Sequence, residues 1–145
     1  MLFRRKRNEA LEKYKRIREM GRELTEQIMD HMSRFVLTRA ASDLNLWGRR
    51  NTLVFDSEED THFLMDRCFY DIYWEGKNLI GHYMESDAYE QLGEEERTVV
   101  QGMTNAYYSL FEILNAASRE ARLELDDLLG ERTYTLMDVN LSVSA

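Results

Sequence analysis

The sequence predicts a predominantly helical α+β fold that ends in a short antiparallel β meander. Apolar residues recur at helical spacing up to about residue 105. After residue 107 the apolar runs are short, alternate with polar residues and contain threonine and tyrosine, as strands do. A chain of 145 residues with 43% hydrophobic residues has the size and composition of one globular domain. We therefore expect a single domain, 1–145, with a long helix in 1–42, three or so shorter helices in 57–105 and a two- or three-stranded meander in 107–140.

The first segment is predicted to form one long helix over about 8–42, or two helices joined near Gly21. Its apolar residues step alternately by three and four positions for more than three heptads, which is the pattern of a coiled-coil seam. A helix over all of 8–42 would be about 52 Å long, whereas a compact domain of this size is only about 30 Å across. We therefore expect a kink, a frayed start or a second copy, with a dimer favoured. The residues of this predicted interaction seam are Tyr14, Ile17, Leu24, Ile28 and Phe35.

Capping signals delimit the helices in the middle of the chain. Ser57 followed by Asp60 is a capping box that predicts a helix start. Gly76 is expected to end that region, and a shorter helix is expected from Asn78 to Tyr89. Gly93 and the three glutamates that follow it predict the start of another helix.

Several pieces of sequence follow one another in a recognisable order over about 66–144. They are an aromatic-rich helix end (Phe69–Trp74), a glycine-led helix start (Gly93–Arg97), an aromatic-led strand (Tyr108–Leu114), a run that leads from a strand into a turn (Leu123–Glu131) and a closing serine near Ser142. In this order the segment resembles an uncharacterised bacterial and archaeal domain found in proteins that often carry a SEC-C zinc motif. The zinc-binding cysteine cluster of that motif is absent here. The resemblance therefore implies neither a metal nor a known activity.

Charge is divided unequally along the chain. Residues 1–22 carry a net charge of +6, so the remaining 123 residues carry −14 of a chain whose total is −8. A basic start of this kind can contact the phosphates of nucleic acid, or it can dock on the acidic body of its own or a neighbouring chain. The candidate phosphate contacts are Arg4, Arg5, Lys6 and Arg7.

Three residues in the predicted helix after Ser57 are candidate metal ligands. Glu59 and His62 have the spacing found in carboxylate-bridged di-metal bundles, and Asp66 lies one turn further along the same face. Such a bundle needs a second Glu-x-x-His pair and two further glutamates. Acidic residues are in any case favoured at a helix start. We therefore expect a solvated helix start here, and neither a metal nor another cofactor.

The remaining chemically capable side chains are expected to be structural. Cys68, the sole cysteine, shares a helical face with Leu64 and Ile72, and His62 lies nearly on the opposite side of the helix, so it cannot activate Cys68. His31 falls on the apolar stripe of the first helix. Several aromatic residues could line a ligand pocket, but packing of the core is favoured because each buries a large area. They are Phe69, Tyr70, Tyr73, Trp74, Tyr107 and Tyr108.

The function expected from these observations is non-enzymatic. The sequence contains no phosphate-binding loop, no nucleophile elbow and no stacking aromatics within a basic run. A single cysteine fits a reducing compartment, and the N-terminus does not read as a secretory signal. No run approaches the 18 apolar residues of a membrane span. We expect a cytoplasmic interaction or assembly module that forms a homo-oligomer through its first helix. Weak nucleic-acid binding by the basic N-terminus is the alternative, and a metal-dependent enzyme is a more remote one.

Overall fold

The computed structural model describes residues 2–145, with side chains described from Arg5 onward. A long helix, shorter helices and a C-terminal antiparallel sheet follow one another as predicted, so the α+β class is confirmed. No helix of the described part is both long enough and apolar enough to cross a membrane. The elements are α1 (Leu2–Asp30), α2 (Arg34–Asp43), α3 (Glu58–Asp66), α4 (Leu79–Tyr83), α5 (Asp87–Glu90), α6 (Glu94–Met103), β1 (Phe111–Ala117), β2 (Arg122–Asp127), β3 (Arg132–Met137) and α7 (Val139–Ser144).

The first segment contains two helices, but they do not meet near Gly21. α1 is continuous through Gly21 and ends at Asp30, and α2 begins at Arg34. Ser33, which precedes α2, has an extended backbone with φ −73° and ψ 152°. The break changes the helical phase, so that Val36 is buried whereas Phe35 is 57% exposed. Neither alternative predicted for this segment is correct in its bounds: it is not one helix over 8–42, and its two helices are separated at the extended Ser33 and not near Gly21.

Residues 20–106 form one compact helical unit with its own core. Tyr83 is fully buried at its centre. Its hydroxyl donates to Oε1 of Gln27 at 3.2 Å, and its ring packs edge-on against His31 at 5.1 Å between centroids. The predicted core face of Leu64, Cys68 and Ile72 is buried as expected. The core includes Leu24, Ile28, Val36, Ala40, Leu64, Cys68, Phe69, Ile72, Leu79, Ile80, Tyr83 and Val100.

The helices of this unit begin where the capping signals predict, but they end sooner. The carboxylate of Asp60 accepts the backbone N–H of Ser57 at 3.3 Å, as the capping box requires. α3 then gives way to a π-helical turn over Arg67–Asp71. The single helix expected over Asn78–Tyr89 is instead α4 and α5, because Ser86 caps a new helix by accepting the N–H of Tyr89.

The C-terminal strands form an antiparallel meander in the order β1-β2-β3. β2 and β3 pair in unbroken register from Arg122↔Met137 to Asp127↔Arg132. The register of β1 against β2 shifts after Ile113, where Leu114 is the extra residue of a β-bulge. The predicted meander is thus confirmed with three strands.

A short helix that the sequence pattern did not predict follows the sheet. α7 is capped by Asp138, whose carboxylate accepts the N–H of Leu141 at 2.8 Å. The backbone N–H of Val139 donates to the hydroxyl of Tyr14 at 3.3 Å. These residues belong to a second compact unit, formed by the chain up to Glu19 together with Tyr107–Ala145. The expectation of a single domain over 1–145 stays a prediction.

Candidate functional site

The sheet has one polar and one apolar face because its side chains alternate along each strand. On β2, Leu123 and Leu125 point to the apolar face, and the register places Leu136 and Tyr134 of β3 directly opposite them. Leu123 and Leu125 are buried. Phe111 and Ile113 of β1 lie on the same face but are 38% and 42% exposed.

An open cleft of about 540 Å³ lies on this apolar face, within the sheet unit. Its volume falls within the range of roughly 300–1,000 Å³ that is usual for ligand pockets. The exposed apolar side chains of the lining are between 36% and 53% exposed. Contiguous exposure of this kind is typical of interaction sites. The lining residues are Tyr107, Phe111, Ile113, Leu125, Tyr134, Thr135, Leu136 and Leu141.

Three aromatic rings form one wall of the cleft. The centroids of Tyr107, Phe111 and Tyr134 are 6.3–6.5 Å apart in each pair, and the rings are tilted or edge-on to one another. These spacings are those of stabilising aromatic pairs. The wall is therefore a mutually packed surface and not a set of independently moving side chains.

A buried carboxylate holds the rim of this wall in place. The Asp127 side chain accepts the Tyr107 hydroxyl at 3.0 Å and the Gly130 N–H at 2.9 Å, and it also accepts the N–H of Leu129 and the hydroxyl of Ser109. The hydrogen bond from Ser109 is the largest cause that lowers the pKa of Asp127 below its usual value. The hydrogen bond with Tyr134 is the largest cause that raises the pKa of the Tyr107 phenol. Asp127 is therefore a structural acceptor, with hydrogen bonds to both of its carboxylate oxygens.

The residues of the predicted interaction seam lie in different environments. Leu24 and Ile28 lie in the chain's own core, at 1% and 0% exposure. Tyr14 is half-buried and accepts the N–H of Val139. Ile17 and Phe35 are exposed. A continuous apolar ridge from Tyr14 to Phe35 is therefore not presented to solvent, because the chain covers the middle of it.

The basic start of α1 is partly paired within the chain. Nη1 of Arg7 lies 2.8 Å from Oε1 of Glu120, and this contact is the largest cause that lowers the pKa of Glu120. Arg5 lies 3.5 Å from Glu9 on the same helix. The side chain of Arg4 lies outside the described residues, and Lys6 is exposed. The Arg7–Glu120 ion pair is a contact between the basic start and an acidic residue of the same chain, which is one of the two possibilities that the division of charge allows.

The candidate metal ligands lie on the exposed surface of α3. Glu59, His62 and Asp66 are all exposed. The pKa of Glu59 is lowered by hydrogen bonds to its own backbone N–H and to Ser57, which are helix-start contacts. Among the residues whose positions are described, no group of three histidine, cysteine or acidic side chains is placed to hold a metal ion.

The other chemically capable residues occupy structural positions. Cys68 is fully buried, and burial raises the pKa of its thiol to about 11. His82 stacks on Trp74 with a ring separation of 3.9 Å, and its Nε2 lies 2.9 Å from the Trp74 carbonyl oxygen. Of the aromatic residues singled out in the sequence, Tyr107 lines the cleft and Phe69 packs in the helical core.

A comparison with protein families identifies the family of this chain. The family of unknown function DUF7986 matches residues 8–145 of the chain. The chain belongs to this family. Comparison with curated proteins and with solved structures found no match.

Most of the cleft of this DUF7986 domain was not foreseen in the sequence. Phe111 and Ile113 alternate along β1, as do Tyr134 and Leu136 along β3, so each pair shares a face. That alternation is the signal that could have grouped them. It was insufficient alone, because it shows which side chains share a face and not whether another element covers that face.

Proposed function

We propose that this DUF7986 domain is a non-enzymatic assembly module that associates with a second copy of itself through the sheet unit. The observation that carries the proposal is the open apolar cleft, in which the exposed rings of Phe111 and Tyr134 lie beside aliphatic side chains. Covering such a face removes apolar area from water, which is the dominant favourable term in protein association. The sheet replaces the α1 seam as the main surface, because Leu24 and Ile28 are occupied in the core.

The chemistry of the cleft supports binding and not catalysis. The carboxylate of Asp127, which holds Tyr107 of the lining, already accepts four hydrogen bonds from its own unit. A catalytic acid or base needs a free hydrogen-bonding position toward a substrate. We propose a cytoplasmic location for the module, because a sole cysteine fits a reducing compartment. The likeness to domains that accompany SEC-C motifs also stays a prediction.

Sedimentation velocity over a wide concentration range tests self-association of the full chain. We expect a dimer whose dissociation constant rises by about tenfold or more in Leu136→Arg, because Leu136 lines the cleft and a charge would be buried in the apolar contact. Phe63→Arg is the matched control, since Phe63 is also an exposed apolar side chain but lies on α3 in the helical unit. Ile17→Arg tests the α1 seam in the same assay. A wild-type chain that stays monomeric at all concentrations contradicts the proposal.

Weak nucleic-acid binding by the basic start is a second proposal, and the division of charge supports it. The pairing of Arg7 with Glu120 reduces the number of cations available to phosphate. Fluorescence anisotropy with a labelled oligonucleotide at low salt provides the test. Replacing Arg5, Lys6 and Arg7 with glutamine should abolish any binding, because phosphate contacts dominate such affinity. Unchanged affinity in that variant would exclude the proposal.

A further inference from the structure

The outer edge of β3 presents unused backbone hydrogen-bonding groups. The backbone N–H of Asp138 donates to the carbonyl of Ala121 at 2.7 Å, which extends the ladder between β3 and β2 by one step. In an antiparallel pair, alternate residues direct their N–H and C=O groups to the same neighbour. Arg132, Tyr134 and Leu136 therefore bond toward β2. The backbone groups of Thr133, Thr135 and Met137 point away from the sheet, and within the described residues none of them has a backbone partner.

Apart from the charge of Arg132 at its start, this edge lacks the features by which natural sheets discourage pairing. β3 keeps an unbroken register against β2, contains neither proline nor lysine, and is built from residues that favour strands. The opposite edge, that of β1, is interrupted by the bulge at Leu114. Bulges are one of the devices that blunt an edge strand. The two edges of the sheet are thus unequal, and β3 is the one suited to pairing.

We infer that a second copy of this chain pairs antiparallel with β3, with Thr135 facing Thr135 of the second copy across a two-fold axis. This inference rests on the proposed self-association and specifies its geometry. At this register, the outward groups of Thr133 meet those of Met137 of the second copy, and the reverse. Every outward N–H and C=O of the strand finds a partner. The exposed side chains of Tyr134 and Leu136 face each other across the axis, so each covers part of the apolar surface of the other at the border of the cleft.

Charge complementarity selects this register over its neighbours. With Thr135 on the axis, Arg132 stands directly opposite Asp138 of the second copy, so an ion pair forms at each end of the paired strands. Opposite charges across an antiparallel pair are stabilising. Placing Thr133 on the axis would set Arg132 against Tyr134. Placing Met137 there would set Asp138 against Leu136, which would bring a carboxylate to an apolar side chain.

Disulfide trapping tests the register directly. In a Cys68→Ser background, Thr135→Cys should oxidise to a covalent dimer, because directly opposed Cα atoms in a hydrogen-bonded pair are about 5.5 Å apart, within the range of a disulfide. Thr133→Cys is the matched control on the same strand and the same face. Its Cα would lie about 14 Å from that of its counterpart, so we expect no crosslink. Equal crosslinking at both positions would overturn the register.

A proline substitution tests the edge itself. Thr135→Pro removes an outward N–H and leaves the bonds to β2 in place, and proline is tolerated at such edge positions. We expect the dissociation constant of the dimer to rise by about tenfold or more. Ala116→Pro places the same residue on the outer edge of β1 and should leave it unchanged. Circular dichroism shows whether each variant is folded. If Thr135→Pro is not folded, the crosslinking of Thr135→Cys tests the pairing of β3 instead.

The outcomes separate this inference from the proposal on which it rests. A dimer that is weakened by Leu136→Arg but is neither weakened by Thr135→Pro nor trapped through Thr135→Cys would overturn pairing by β3 and leave self-association standing. A chain that is monomeric at every concentration, and that forms no crosslink, would overturn both. A monomeric chain whose β3 edge instead captures an unrelated extended peptide would also contradict the second copy as the occupant.

Discussion

At the scale of single residues, Asp127 and Gly130 form an interlocked pair in the turn between β2 and β3. The carboxylate of Asp127 folds over the turn and accepts the N–H of Gly130. A Cβ built on Gly130 would lie 2.9 Å from Cγ of Asp127 and closer still to one of its oxygens. A side chain at this position therefore displaces the group that holds Tyr107 at the cleft. The requirement for glycine here comes from contact with a neighbour and not from its backbone angle.

Gly130→Ala is expected to lower the free energy of unfolding by about 1–3 kcal/mol, the usual result of forcing a methyl group into a packed site. Urea denaturation measures this change. Gly102→Ala is the matched control, because nothing lies within 4 Å of a Cβ at Gly102 in α6. Alanine is preferred to glycine within a helix by up to about 1 kcal/mol, so we expect stabilisation there. Equal effects at both positions would contradict the contact argument.

Asp127 also makes the stability of the sheet unit depend on pH. Hydrogen bonds, the largest from Ser109, lower the pKa of Asp127 in the folded state below its ordinary value. Its unfolded pKa is about 3.9. The stabilisation is therefore fully present above about pH 4 and is lost as pH falls through the lowered folded pKa.

We expect Asp127→Asn to be less stable than wild type at neutral pH, with a difference that narrows as pH falls from about 5 toward 2. Thermal unfolding measured across this range provides the test. Asp126→Asn, on the polar face of the same strand, is the control and should show a smaller change at neutral pH. A difference for Asp127→Asn that stays constant with pH would show that the carboxylate charge has no such role.

At the scale of elements, polar residues before a helix differ in whether their side chains cap it. α4 begins after Asn78, whose side chain accepts the N–H of Gly81 at 3.0 Å and whose amide donates to the carbonyl of Tyr70 at 3.2 Å. α2 begins after Ser33, whose side chain makes no capping hydrogen bond. Two polar residues at the same helical position therefore contribute differently.

Asn78→Ala is expected to lower the free energy of unfolding by about 1 kcal/mol, the typical contribution of a capping side chain. Ser33→Ala is the matched control, and we expect almost no change because its hydroxyl makes no capping bond. Chemical denaturation of both variants under identical conditions gives the comparison. A loss at Ser33 as large as that at Asn78 would disagree with the observed contacts.

The helix break and the sheet show what could be predicted at this scale. The β alternation of Leu123 and Leu125 indicated their strand, and the capping box at Ser57 indicated its helix. The heptad pattern, however, runs through His31 to Phe35 without interruption, so it could not reveal a break that depends on the extended backbone of Ser33. Helical periodicity records which side chains could share a face if the helix continued, and it contains no information on where the helix stops.

At the scale of the whole molecule, the division of charge and the fold class could be predicted, but the exposed surface could not. The seam residues Leu24 and Ile28 were correctly grouped as apolar neighbours, yet their partners Val36 and Tyr83 come from later helices. Tyr107 was recognised as a possible pocket residue, whereas Leu141 lies on the unpredicted α7. Whether an apolar face is covered depends on contacts between elements distant in sequence, which no local pattern reports.

Leu114, the extra residue of the β-bulge in β1, limits the size of the proposed assembly. In the proposed dimer, the two-fold contact through β3 would use the regular edge of each sheet, so assembly would end at two chains. Contacts available at both edges would instead generate open fibres. Deleting Leu114 would remove the bulge from β1 and give the sheet a second regular edge. We expect that deletion to yield filaments that scatter light and bind thioflavin T, whereas Leu114→Ala, which keeps the extra residue, should not. A Leu114 deletion variant that forms no filaments would show that another feature limits the assembly.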